Sequence, residues 1–159
     1  MTAGPPLWKG TRGEWWVVGQ AMLMAAVLFA PAAWRWSGPS RAVWVVPGVL
    51  FVVAGLGLAA GAMRDLGASL STFPKPRRRA VLVETGVYAR TRHPMYGGLI
   101  IAAVGWALWR MSALLLLLAA VLALYMNLKA GREERFLVQR FPEYASYRAR
   151  THRLIPRLF

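Results

Sequence analysis

Four apolar runs limit what this chain can fold into more than any other feature. Trp15 to Trp34, Ala42 to Met63, Met95 to Trp109 and Met111 to Leu128 contain no Asp, Glu, Lys or Arg. A helix needs about 20 mostly apolar residues to cross a hydrocarbon core roughly 30 Å thick. The first two runs reach that length. The third is short, and the fourth is almost pure Leu, Ala and Val. Arg110 alone separates the third run from the fourth, which predicts a tight helical hairpin. Trp15, Trp16, Trp34, Trp36, Trp106 and Trp109 stand at the run ends, where indoles favour a membrane–water interface. The first run is long for the h-region of a cleaved signal, and Pro5, Pro6 and Gly10 make a poor n-region, so it is expected to remain a span. The pattern predicts an all-α integral membrane fold: one domain over residues 1–159 with about four transmembrane helices.

Charge orients the spans. A net charge of +14 fits either nucleic acid or an anionic membrane surface, and the apolar runs decide for the membrane. Seventeen of the 20 Lys and Arg residues lie before the first run, between the second and third, or after the fourth; only Arg35, Arg41 and Arg110 fall on the other side. An even number of spans gathers all seventeen on one face. Basic residues flank spans on the cytoplasmic side, so both termini are expected there, in the inner (plasma) membrane of the cell. All six acidic residues lie outside the spans, which argues against a channel, proton pump or charge-coupled transporter. The absence of cysteine excludes disulfides and thiolate chemistry, and His93 and His152 alone cannot build a His-rich metal site.

Small residues mark the expected helix contacts. Gly57-x-x-x-Gly61 in the second run, and Gly98, Ala102 and Gly105 in the third, would let helix backbones approach closely. A ligand cleft lined by those glycines is the alternative.

Two cytoplasmic blocks remain, Arg64 to Arg92 and Lys129 to Phe159. The first holds a stiff basic stretch, Pro74 to Arg79, read as a lipid-headgroup contact, then Val81-Leu82-Val83 and a turn at Thr85-Gly86. In the second, the fourth helix is expected to continue past Glu133 and Glu134 to Phe141, where Pro142 stops it, and the tail is expected to fold back. Chemistry-bearing residues concentrate between Gly86 and Gly98: Tyr88, Arg90, Arg92, His93, Pro94, Met95, Tyr96 and Gly97. Pro94 suits the first position of the third helix, whose free N–H groups, beside Arg90, Arg92 and His93, would attract an anion. An interfacial belt of Arg and Tyr explains the same residues without a ligand. Glu133-Glu134 has a similar pair of readings: i,i+4 pairing with Lys129, or a carboxylate for a ribose diol or a cationic ligand.

Arg92-His93-Pro94-Met95-Tyr96-Gly97-Gly98, preceded by Gly86-Val87-Tyr88, resembles the cofactor motif of the integral membrane methyltransferases that act on isoprenylcysteine carboxylates and phospholipids. Glu133-Glu134, Phe141-Pro142-Glu143-Tyr144 and Arg153-Leu154-Ile155-Pro156 follow in the order of that pattern. The resemblance covers roughly Arg64 to Phe159. It implies S-adenosylmethionine as methyl donor, S-adenosylhomocysteine as product, and a lipid or lipidated acceptor at the cytosolic membrane face; no nucleic-acid partner is expected, because the basic residues flank spans as topology signals do. It implies a cofactor pocket formed by residues 80–98 and 129–159, with Leu82, Val83, Tyr88, His93, Pro94, Met95, Tyr96 and Glu133 on the cofactor. Arg92 and His93 would hold the cofactor's carboxylate and Glu133 its ribose or amino group. His93 or Glu134 would serve as base for an amine acceptor. Lys129 stands where prenylcysteine enzymes carry a substrate-contacting Arg, and lacks that side chain's bidentate fork; Arg132 is the candidate to compensate. A non-catalytic scaffold or anionic-lipid binder is the rival reading, and it expects salt-sensitive lipid binding without cofactor affinity.

Overall fold

The computed structural model describes residues 13–38, 40–71, 73 and 81–155. They form five α-helices and no strand: α1 (Glu14–Phe29), α2 (Ala42–Leu66), α3 (Pro94–Arg110), α4 (Ala113–Arg140) and α5 (Tyr144–Arg150). Single 3₁₀ turns lie at Gly67–Ser69 and Gly86–Ala89. The basic stretch Pro74 to Arg79 lies outside the described residues.

Proline sets several of the boundaries. α1 stops at Phe29 rather than running to Trp34, because Ala30 precedes Pro31 and takes extended torsions (φ −60°, ψ 143°). Pro94 opens α3 and lacks only an N–H that would be unpaired there. α4 ends at Arg140, two residues before Pro142. Met111 and Ser112 alone join α3 to α4, with Met111 left-handed at φ 50°. The Ser112 hydroxyl accepts from Leu115 N–H at 3.3 Å, capping α4, and donates to Ala33 O at 2.7 Å, tying the α1–α2 connection to the hairpin.

Two helices, Ala42–Ser69 (α2 with its terminal turn) and Ala113–Arg140, are long and apolar enough to cross a membrane. Only 17% and 33% of their most apolar stretches are buried in the protein, whereas the core helix of a soluble domain is mostly buried. Met22, Phe29, Val53 and Leu124 are each at least 60% exposed and point outward with them. The 28 residues of α4 span about 42 Å, some 12 Å more than a hydrocarbon core. Every charged residue of α4 falls in the last part, from Lys129 onward, so that end projects beyond the apolar layer.

α2 and α3 pack backbone to backbone. A Cβ on Gly55 would lie 2.4 Å from Gly98 O, and one on Gly98 would lie 2.5 Å from Gly55 O. Gly48 and Gly105 repeat the arrangement one heptad away, at 2.8 Å and 2.6 Å. Gly98 and Gly105 are therefore at the contact, as expected, but the expected partners Gly57 and Gly61 are not. Nothing lies within 4 Å of a Cβ on Gly57, and Gly61 meets only Val87 at 3.9 Å. Gly57 is two residues from Gly55, about 200° around the helix, and so faces away. The core beneath consists of Val27, Ile100, Ala103, Ala119, Leu122, Met126 and Leu154, contributed by α1, α3, α4 and the tail.

Gly98→Ala is expected to lower stability by about 1–3 kcal/mol through backbone overpacking, with Gly57→Ala within about 0.5 kcal/mol of wild type. Thermal unfolding of both variants in detergent checks this.

Candidate functional site

The site lies where α2 ends, α3 begins and α4 projects. Asp65, near the end of α2, accepts from Val87 N–H at 3.0 Å and fixes the turn before α3. Gly86 is required in that turn on two counts: φ is +59°, and a Cβ would lie 2.0 Å from Asp65 Oδ2. Beyond α5 the tail returns and pairs with the segment ahead of α3. Arg92 N–H donates to His152 O at 2.9 Å, His93 N–H to Arg153 O at 2.9 Å, and His152 N–H to Arg90 O at 3.0 Å. The tail also occupies the space that Gly97 opens, since a Cβ there would lie 2.3 Å from Leu154 O. The two glycines at the start of α3 thus admit the chain's own tail (Gly97) and α2 (Gly98).

Glu134 clasps these pieces together. Its side chain is 4% exposed. Arg92 Nε donates to Oε1 at 2.9 Å; Arg153 donates from Nη2 to Oε2 at 3.0 Å and from Nε to Oε1 at 3.3 Å. Arg153 also donates to Asn127 at 3.0 Å, and Arg148 Nε lies 3.9 Å from Oε2. Arg92 Nη1 donates to the carbonyls of Arg148 and Thr151. Burial alone would push the Glu134 carboxyl up, but the His93 ring and the Arg153 and Arg92 guanidinia hold it far below the usual carboxylate range.

In front of this clasp is a cleft enclosing about 780 Å³, part of it open to solvent. Leu82, Val83, Leu137 and Phe141 give it apolar walls; Tyr88, Arg92, His93, Met95, Tyr96, Glu133, Tyr144 and Tyr147 complete it, with Leu66, Ser69, Ser71 and Val81 at the α2 end. His93 and Tyr96 stack with ring centroids 5.4 Å apart and 1° between planes. Tyr96 Oη donates to Glu133 Oε2 at 2.9 Å, and His93 Nδ1 lies 3.8 Å from the same oxygen. Burial, then the nearby Glu133 charge, raises the Tyr88 phenol; burial, then Glu134, raises that of Tyr144. Burial, then Glu84, pushes Tyr147 up to about 12. All three stay protonated donors at neutral pH. Tyr147 donates to Tyr88 O at 2.7 Å, while the buried Tyr144 hydroxyl meets no partner among the described residues.

Of the residues singled out from sequence, Leu82, Val83, Tyr88, Arg92, His93, Met95, Tyr96 and Glu133 line the cleft. Pro94, Lys129, Arg132 and Glu134 are not among its lining residues. Pro94 is buried at the start of α3. Lys129 is 2% exposed behind Tyr96: its Nζ donates to Gln20 Oε1 and sits 5.1 Å from the Tyr96 ring centre. The Arg132 guanidinium lies 5.7 Å from the Phe136 ring centre. Tyr144 and Tyr147 also line the cleft, without a role expected from the sequence. Their signal was an aromatic pair one helical turn apart immediately after Pro142.

A family model described as phospholipid methyltransferase matches residues 43–144, more than half of the chain. The chain belongs to the phospholipid methyltransferase family. It is 32% identical over 144 residues to the cobalt-zinc-cadmium resistance protein CzcN of Cupriavidus metallidurans, covering 90% of this chain and 62% of that protein. It is 35% identical over 107 residues to the protein-S-isoprenylcysteine O-methyltransferase of Saccharomyces cerevisiae, covering 65% of this chain and 45% of that protein. The nickel-cobalt-cadmium resistance protein NccN of Alcaligenes xylosoxydans is 29% identical over 144 residues, covering 90% of this chain and 63% of that one. The chain thus spans less than two thirds of each of these relatives. Family membership supports a membrane-associated methyltransferase in general terms.

A depressed carboxyl stabilises the fold above its unfolded pKa, roughly 4.3 for Glu, and loses that contribution as pH falls toward the folded value. Glu134→Gln is therefore expected to cost about 3–5 kcal/mol at pH 7. The gap to wild type should shrink as pH drops below about 4.5. Denaturant titration of both proteins across pH in detergent measures it, and a gap independent of pH would contradict the ionised clasp.

Proposed function

We propose that the chain is an S-adenosylmethionine-dependent methyltransferase acting on a membrane-embedded, lipid-like acceptor at the cytosolic face. The observation that carries the reading is the cleft beside α3, where the Glu133 carboxylate, the His93 imidazole and Tyr144, whose buried hydroxyl meets no partner among the described residues, lie between apolar walls. S-adenosylmethionine, when bound, supplies a methyl group on a sulfonium centre. Its parts suit this donor set: Leu82, Val83, Leu137 and Phe141 for a flat base, Glu133 for a ribose diol or ammonium, His93 for a carboxylate. Tyr144 would give its free hydroxyl to a ribose or carboxylate oxygen. A buried hydroxyl without a partner costs free energy, and such a bond recovers it.

The chain's own residues then align and shield. Arg92 commits Nε and Nη1 to Glu134, Arg148 and Thr151, so it positions the wall instead of gripping the ligand. Glu134 does the same from behind; its ionised carboxylate, faced by guanidinia, is too weakly basic to take an amine proton. An amine acceptor would call on His93 as its base instead of as a holder of the cofactor's carboxylate, while a carboxylate acceptor needs no base. The aromatic walls exclude water and hold the reacting groups in line, the main requirement of a displacement at carbon.

A second cavity supports the lipid-like acceptor. It takes in about 600 Å³ between α1, α2, α3 and α4, part of it open to the outside, and its lining, including Met24, Val27, Leu56, Leu99, Trp106 and Leu122, is apolar. Leu99 is one turn along α3 from Tyr96, so a lipid tail there would bring its head toward the cleft. Lys129, over the Tyr96 ring, donates to Gln20, whose amide reaches Met24 of the apolar lining; a polar acceptor head would pass this pair. We take α1 to α4 as four spans with the cleft, the α4 projection and both termini cytosolic. The whole of residues 1–159 then acts as one domain.

Calorimetry with S-adenosylhomocysteine in detergent tests the site. Wild type is expected to bind, Glu133→Ala to bind at least tenfold more weakly, and Tyr144→Phe about two- to tenfold more weakly, the worth of one hydrogen bond. No heat with wild type overturns the reading in favour of a non-catalytic lipid-binding protein. For the topology, the cysteine-free chain allows clean single-site labelling. In intact cells a membrane-impermeant maleimide is expected to label Ser37→Cys and spare Ser146→Cys; the reverse pattern overturns the orientation.

A further inference from the structure

The projecting part of α4 has a second face, turned away from the cleft. There a shallow concavity enclosing about 830 Å³, much of it open to solvent, lies between Arg135, Gln139, Arg148, Arg153 and Glu134. Its charge is unbalanced. Both oxygens of Glu134 are already engaged by Arg153, and Oε1 also by Arg92. Arg148 is 55% exposed and reaches that carboxylate only at 3.9 Å. No ion pair to Arg135 forms among the described residues. Three guanidinia thus border one saturated carboxylate, immediately beyond the apolar length of α4. Guanidinium forks match the oxygens of phosphate in two-point hydrogen bonds. Basic groups at this height meet the headgroups of acidic lipids.

We propose that this concavity binds a phosphate group, presented by an acidic phospholipid headgroup or free in solution, and that its occupancy stiffens the cleft wall. The coupling is through the backbone. Arg148 O accepts from Arg92 Nη1 at 3.0 Å, and Arg153 O accepts from His93 N–H at 2.9 Å. The residues that would grip the phosphate are therefore those that hold Arg92 and His93 on the other side. A bound anion also relieves the repulsion among the guanidinia around Glu134. The binding half stands without the methyltransferase reading; the coupling half rests on it.

Thermal unfolding of the intact chain in detergent, without cofactor, tests the binding half. Inorganic phosphate, dihexanoylphosphatidylglycerol and dihexanoylphosphatidylcholine are titrated at matched ionic strength, with chloride as control. A rise of about 3 °C at tenfold excess over the dissociation constant is expected for an occupied site. The apparent affinity should fall at least fivefold in Arg135→Gln and in Gln139→Glu, neither of which lines the cofactor cleft. A rise with phosphatidylglycerol alone assigns the site to a lipid headgroup, and a rise with inorganic phosphate as well assigns it to phosphate itself; either supports the proposal. No rise in wild type, an equal rise with chloride, or an undiminished rise in both variants overturns it. S-adenosylhomocysteine affinity measured with and without the effective anion then tests coupling: a severalfold gain supports it, and equal affinity overturns that half alone. Absence of any cofactor binding would sink the methyltransferase reading while leaving the unfolding result intact.

Discussion

One buried carboxylate organises the polar half of this protein. Glu134 extends from α4 and is met by Arg92 from the segment ahead of α3 and by Arg153 from the returning tail. A charge taken out of water costs several kcal/mol unless hydrogen bonds replace its hydration, and both Glu134 oxygens receive them. The arrangement is therefore cooperative. Removing the acid leaves guanidinia facing one another, and removing either arginine weakens the hold of an entire segment. The cleft in front is bounded by those same segments, so its shape follows from the clasp behind it.

The apolar half supplies the frame. Gly48, Gly55, Gly98 and Gly105 let α2 and α3 meet at backbone distance, which fixes the height at which α2 ends and α3 begins. Asp65 then reaches the Gly86 turn, and Tyr88 arrives at the cleft with its carbonyl held by Tyr147. A seam deep in the apolar layer thereby sets the position of aromatic side chains at the surface. Tyr96 belongs to both halves: its hydroxyl bonds Glu133 in the cleft, and its ring covers the buried Lys129 ammonium.

Much of this was legible in the sequence because the signals were local. Apolar runs gave the helices, and Pro94 and Pro142 marked ends that the structure keeps within two residues. The glycine seam was half legible. Small-residue spacing in α2 pointed to Gly57 and Gly61, yet the contact uses Gly48 and Gly55, because a helix apolar on all sides does not reveal which stripe faces its neighbour. The early end of α1 was written in Ala30-Pro31 but hidden by the apolar residues that follow. Glu133 and Glu134 look alike as neighbours in sequence. About 100° of helical turn separates them into a cleft residue and a clasp residue, and only the return of the tail shows which is which. Tyr144 shows in the sequence only as half of an aromatic pair; its place at the cleft depends on Arg153 and His152 pairing back onto residues 90–93.

Membership of the phospholipid methyltransferase family, a cleft with a carboxylate, an imidazole and a tyrosine hydroxyl unpaired among the described residues, and an apolar cavity one helical turn away all support the proposed account, methyl transfer to a lipid-soluble acceptor at the membrane surface. The most direct measurement is transfer of a tritiated methyl group from S-adenosylmethionine by the purified chain to a native membrane lipid extract. The account predicts label in the solvent-extractable fraction with wild type and severalfold less with Glu133→Ala at limiting cofactor. Extractable label no higher with wild type than with that variant would contradict it.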